Sequence, residues 1–189
     1  HAPGLEDLSP PGGMTPAGRA TFPDLSVYGA SVRGQLGKGI ANAEIGYYQS
    51  RDDPDGDDPL VNNSEMRYLA GYTQEIGTDF TAGLQYYIEQ LLQYDQYKES
   101  PGARRDEYRH VVTLRLTKLL MNQNLTLSFF GYFSPSDKDA YLRPNASYKA
   151  TDQVTLELGS NIFFGDYPDT FFGQFRDNTN IYTAVRYSF

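Results

Sequence analysis

Residues 154–164, Val-Thr-Leu-Glu-Leu-Gly-Ser-Asn-Ile-Phe-Phe, decide the fold class. Read at every second position, one side carries Val154, Leu156, Leu158, Ser160, Ile162 and Phe164. The other side carries Thr155, Glu157, Gly159, Asn161 and Phe163. A period of two is the beat of a β-strand, in which successive side chains point to opposite faces. One face of this strand is apolar and the other is polar.

The same beat extends in both directions. Strand 140–149 sets Leu142, Pro144, Ala146 and Tyr148 against Tyr141, Arg143, Asn145, Ser147 and Lys149. Strand 108–119 sets Val112, Leu114 and Leu116 against Arg109, Val111, Thr113, Arg115 and Thr117. Strand 80–92 sets Phe80, Ala82, Leu84, Tyr86 and Ile88 against Thr81, Gly83, Gln85, Tyr87 and Glu89. With 25–36, 40–50, 64–76, 125–134 and 180–189 these make nine strands, and no helix is needed to account for residues 25–189. Short turns at 37–39, 77–79, 121–124 and 151–153 alternate with longer loops at 51–63, 93–107, 135–139 and 165–179. That alternation predicts an all-β, antiparallel up-and-down meander, trimmed at one rim and elaborated at the other. Residues 1–24, with five Pro and four Gly and no period, read as an irregular loop or tail.

Composition removes several function classes. The 189 residues contain no Cys, which excludes a disulfide framework, a zinc ribbon and a thiol nucleophile. Only two His are present, too few for a His-rich metal site. A formal charge of -8 argues against a nucleic-acid partner, and no cofactor motif stands out. Sixteen Tyr and eleven Phe separate the chain from disordered sequences.

Two media satisfy strands with one apolar and one polar face. In a soluble barrel that binds a ligand, the apolar face points inward. In a membrane barrel it meets lipid, while charges line a wet lumen. Three features favour the membrane. Tyr and Phe gather at strand ends (Tyr28, Tyr47, Tyr68, Tyr72, Phe80, Tyr148, Phe164, Tyr187), as interfacial girdles do. The apolar faces carry Ala and Gly as well as Leu, and the strands have the length that crosses a tilted bilayer path. The lumen then receives Arg33, Glu44, Glu65, Arg67, Glu75, Glu89, Arg109, Arg115, Arg143, Lys149, Glu157 and Arg186. Seven of these are basic and five acidic, which predicts no strong ion selectivity from the count alone.

The final segment, Asn180-Ile-Tyr-Thr-Ala-Val-Arg-Tyr-Ser-Phe189, ends on an aromatic and sets Ile181, Val185, Tyr187 and Phe189 on one face. It resembles the C-terminal assembly signal of Gram-negative outer-membrane β-barrel proteins of the porin-like kind, and the strand pattern extends the resemblance over residues 25–189. The resemblance implies a location in the bacterial outer membrane. It also implies contact with the lipid bilayer and lipopolysaccharide, recognition by the barrel assembly machinery, and passive passage of small polar solutes. Strand parity adds that, with Phe189 at the periplasmic rim, residues 1–24 fall outside the cell. Bacterial single-chain barrels have even strand numbers. The expectation is therefore the C-terminal part of a larger transmembrane barrel, completed by a missing N-terminal part. A structural barrel that sheathes or anchors a partner, such as a porin–cytochrome conduit, is the alternative, and a soluble ligand-binding barrel is a third.

Other chemistry finds less support. The loop Arg51–Pro59 holds five carboxylates in seven residues, making Asp53, Asp55 and Asp57 a weak metal candidate, one that could bridge lipopolysaccharide phosphates. It is not an EF-hand: counted from Asp53, the sixth residue is Asp58 and the twelfth Ser64, where Gly and Glu are required. His110 is the one internal base, but it shares the apolar face, and Ser128 and Ser134 lie on the other. No GxSxG element is present. The spacing of Glu44, Glu89 and Glu157 fixes no carboxylate pair. No enzyme is expected.

Overall fold

The computed structural model describes residues 4–7, 18–100 and 105–189, with side chains over 22–100 and 105–189. Two four-residue strands, β1 (Gly4–Asp7) and β2 (Gly18–Thr21), pair antiparallel within the segment expected to be irregular; the rest of 1–17 lies outside the described residues. Nine further strands form one antiparallel up-and-down sheet: β3 (Leu25–Leu36), β4 (Gly39–Ser50), β5 (Glu65–Gly77), β6 (Phe80–Leu91), β7 (Tyr108–Leu120), β8 (Leu125–Ser134), β9 (Asp139–Lys149), β10 (Val154–Gly165) and β11 (Asn180–Tyr187). Each strand of this sheet pairs with its neighbours in sequence, and β3 and β11 are the two edges. The sheet is not closed: the terminal strands do not pair with each other.

The expected strand limits agree with the observed ones within two residues. Two helical turns depart from the all-strand reading. Helix α1 (Tyr94–Glu99) sits in the loop after β6, and a 3-10 turn (Gly173–Asn178) sits in the loop between β10 and β11. Both lie in long connections where the period-two pattern lapses.

Register fixes which side chains share a face. Arg115 lies opposite Phe130, and Phe130 opposite Arg143. Glu157 lies opposite Ser147 on one side and Ala184 on the other. Arg115, Arg143, Lys149, Glu157 and Arg186 therefore share one face, as alternation requires, while Lys118, near the short turn, falls on the other. The apolar positions hold the opposite face and are uncovered: Leu84 is 54 % exposed, Leu158 53 % and Ile181 78 %. Among the described residues only Leu91 and Val111 are buried hydrophobics.

The chain divides into two compact units. One comprises His1–Ser31, Glu44–Tyr68 and Glu89–Arg109; the other comprises Val32–Ala43, Leu69–Ile88 and His110–Phe189. In the second, the turn after β7 runs through three residues with positive φ: Met121 at 51°, Asn122 at 52° and Gln123 at 68°. Asn tolerates the left-handed region, whereas Met and Gln meet the clash between Cβ and the following carbonyl. Gln123→Gly is expected to stabilise the fold by about 0.5–1 kcal/mol, the part of that strain left after the entropy of glycine is subtracted. Urea unfolding checks this, and a destabilised variant would contradict it.

Candidate functional site

In the first unit the polar face carries a closed charge cluster. Glu65 accepts from Arg67 at 2.8 Å and from Arg105 at 2.8 Å. Glu89 accepts from Arg109 at 3.0 Å, with Arg67 Nε at 3.8 Å. The Arg67 guanidinium also lies 4.0 Å from the centre of the Tyr48 ring. Glu65 and Glu89 are nearly buried, so three guanidiniums around two carboxylates keep neither acid uncompensated. Arg67 and Glu89, both expected on this face, meet here. Arg105 is an addition: it comes from the loop before β7, where no alternation marks it.

The acidic loop of the same unit uses Asp53 to organise its own backbone. Asp53 is buried and accepts the N–H groups of Gly56 at 2.9 Å, Asp57 at 3.2 Å and Asp58 at 3.1 Å. Gly56 takes a φ of 73°, which closes the turn. The Asp53 carboxylate thus acts as a turn organiser. Among the described residues no group of three His, Asp or Glu side chains is placed to hold a metal, so Asp53, Asp55 and Asp57 do not converge as ligands. The Asp-x-x-Gly spacing is the sequence signal for the turn.

The second unit holds a different arrangement. A cleft of about 380 Å³ opens on the polar face, lined by Arg115, Phe130, Tyr141, Arg143, Asn145 and Glu157 with Thr117, Ser128 and Phe129. Glu157 accepts from Asn145 at 2.7 Å and from the Tyr182 hydroxyl at 3.5 Å. Asn145 also donates to the Tyr182 oxygen at 3.1 Å. The Tyr182 ring crosses β10 at Gly159, where any Cβ would overlap it. A second cleft, of about 340 Å³, is lined by Thr73, Thr81, Gly83, Gln85 and Thr113 and shares Arg115, Thr117 and Phe130 with the first. Of the expected lumen residues, Arg115, Arg143 and Glu157 are brought together by one cleft.

An aromatic patch borders the first cleft. Tyr132, Tyr141 and Phe163 share the polar face, and Phe172 of the β10–β11 loop inserts among them. Its ring centre is 4.7 Å from that of Tyr132, 4.8 Å from Tyr141 and 6.0 Å from Phe163. The Phe172 N–H donates to Asp139 at 2.7 Å, and Phe175 reaches Phe163 at 5.7 Å. The run Phe171-Phe172 in the loop is the sequence signal for this docking, but alternation assigns the sheet positions without showing what covers them.

The remaining expected positions do not join either cluster. Arg33, Glu44 and Arg186 are exposed on strands at or next to the sheet edges, and Lys149 pairs with Asp152 at 3.0 Å. Ile181 and Val185 lie opposite Ser160 and Leu156 on the apolar face, Tyr187 lies opposite Val154, and Phe189 follows the end of β11 fully exposed. His110 stacks on Tyr86 on the apolar face, with the hydroxyl 2.7 Å from its Nδ1. The hydroxyls of Ser134 and Ser136 meet the His110 backbone instead.

Comparison with protein-family models, with curated proteins and with solved structures returned no match for this chain.

The charge cluster of the first unit generates a coupled prediction. Glu65→Gln leaves two guanidiniums without their shared carboxylate and is expected to cost about 1–3 kcal/mol. Arg67→Gln should then cost less in that background than alone. A double-mutant cycle by urea unfolding measures the coupling, and strict additivity would show that the cluster does not act as a unit.

Proposed function

We propose that the chain forms nine strands of an outer-membrane β-barrel channel, its apolar face toward lipid and its polar face toward a wet lumen through which small polar solutes pass. One observation supports this above the rest. The apolar faces are uncovered, while the opposite faces carry ion pairs and polar clefts. In water an exposed apolar face of this extent would drive aggregation. Against hydrocarbon it is at rest. Exposed aromatics at the strand ends agree with that placement: Tyr28, Phe133 and Phe164 toward the long loops, Tyr148 and Tyr187 toward the short turns. The N–H and C=O groups along the free edges of β3 and β11 require partner strands in a bilayer, so further strands of the same barrel complete the wall.

Two adjacent positions test the orientation of the sheet. Leu84→Arg places a guanidinium in hydrocarbon and is expected to cost about 2–4 kcal/mol, whereas Gln85→Arg, one residue on and facing the lumen, should cost little. Urea-dependent folding into phosphatidylcholine vesicles reads both. Equal costs, or a chain that stays monomeric in buffer without detergent, would reject the membrane placement.

The C-terminal residue tests the assembly signal. Phe189→Asp is expected to leave folding in micelles intact and to reduce insertion into the outer membrane several-fold, read by membrane fractionation after expression. Normal insertion of this variant would count against the role given to Ile181, Val185, Tyr187 and Phe189.

A further inference from the structure

We propose that the cleft across β7 to β10 is a subsite for small aromatic carboxylates, with Arg115 and Arg143 as its charged contacts. The proposal deepens the channel reading and rests on it, since the lumen is what brings a solute to this face.

Two sets of arginines differ in their surroundings. Arg67, Arg105 and Arg109 each have a carboxylate within 3.0 Å. Arg115 and Arg143 have none within ion-pair distance among the described residues. The contact seen for Arg115 is the Phe130 ring, with 5.8 Å between guanidinium and ring centre. Arg143 makes a long hydrogen bond to the Tyr182 hydroxyl at 3.5 Å. Glu157 lines the same cleft and would be the natural partner, but Asn145 at 2.7 Å and Tyr182 hold its carboxylate. Two cations thus face one cleft with a single carboxylate, Glu157, whose charge its hydrogen bonds stabilise without cancelling, so the cleft keeps an excess of one positive charge.

Geometry limits what can neutralise them. Arg115, Phe130 and Arg143 are successive cross-strand partners, so their two arginine Cα atoms stand about 10 Å apart, two strand spacings. Side chains of that length can converge on one anionic group between them. A planar guanidinium fork matches a carboxylate in bidentate fashion. The intervening wall is aromatic, with Phe130 and Tyr141 half-buried and their ring centres 6.2 Å apart, which suits a flat apolar body attached to the anion. A cleft of about 380 Å³ admits a single-ring acid and falls at the small end of ligand sites. The adjoining cleft shares Arg115, Thr117 and Phe130 with this one, so Arg115 borders both.

Benzoate is the probe. Equilibrium dialysis of radiolabelled benzoate against the complete barrel folded in detergent is expected to show saturable binding that excess unlabelled benzoate displaces and benzyl alcohol does not. Arg115→Gln and Arg143→Gln should each weaken it about tenfold, as loss of a charge-assisted hydrogen bond does. The lysine variants should keep part of the affinity, and Arg51→Gln, in a loop away from the cleft, should leave it unchanged. Circular dichroism of each variant confirms folding. Absence of saturable binding, or affinity unchanged in the double glutamine variant, overturns the subsite and leaves the channel reading standing. Arginine-dependent binding to a chain that inserts into planar bilayers but passes no current would support the subsite and overturn the channel reading instead.

Discussion

A strand that is oily on one side and charged on the other can rest only between two different media. Every strand from β3 to β11 belongs to one hydrogen-bonded ladder, so the backbone locks their faces into a common orientation. What one strand requires of its surroundings, the whole sheet requires. This is why Leu84, Leu158 and Ile181 are exposed together while Glu65, Glu89 and Glu157 are shielded. The absence of an internal core among the described residues follows from the same constraint, because a single sheet has no second layer in which to hide its apolar side.

Within that frame, charge takes two forms. Around Glu65 and Glu89 it is matched, with each acid held by guanidiniums from a neighbouring strand or loop. Such a cluster fixes strands relative to one another and leaves little net charge at its surface. Around Arg115 and Arg143 it is only partly matched, because two guanidiniums face the single carboxylate of Glu157. A count of seven basic against five acidic residues predicts no strong selectivity, but the count treats every charge as equal. Pairing takes five of the twelve, Glu65, Arg67, Glu89, Arg109 and Lys149, out of that balance.

The strands are legible in the sequence because alternation is a local property, repeated nine times and punctuated by turns rich in Gly, Asn and Asp. Face assignment is legible for the same reason: Arg115, Arg143 and Glu157 share a face by parity alone. Their meeting in one cleft is not, since it depends on the register of four strands far apart in sequence. Arg105 and Phe172 escape a periodic reading because loops have no period, and their partners are set by where a long connection folds back. The acidic loop misleads in a more instructive way. Carboxylate density suggests cation chemistry, whereas Asp53 spends its oxygens on three backbone N–H groups of its own loop.

Tyr182 has a consequence for how the edge strand finds its place. Its ring fits over Gly159 only because it stands opposite that residue, and there its hydroxyl meets Asn145 and Glu157. A slip of β11 by two residues would keep every side chain on its proper face and preserve most ladder bonds, so neither oil nor backbone would object. It would, however, bring Ala184 or Asn180 over the glycine and take the Tyr182 hydroxyl away from Asn145 and Glu157. The tyrosine works as a vernier, discriminating between alignments that the two-residue repeat by itself leaves degenerate.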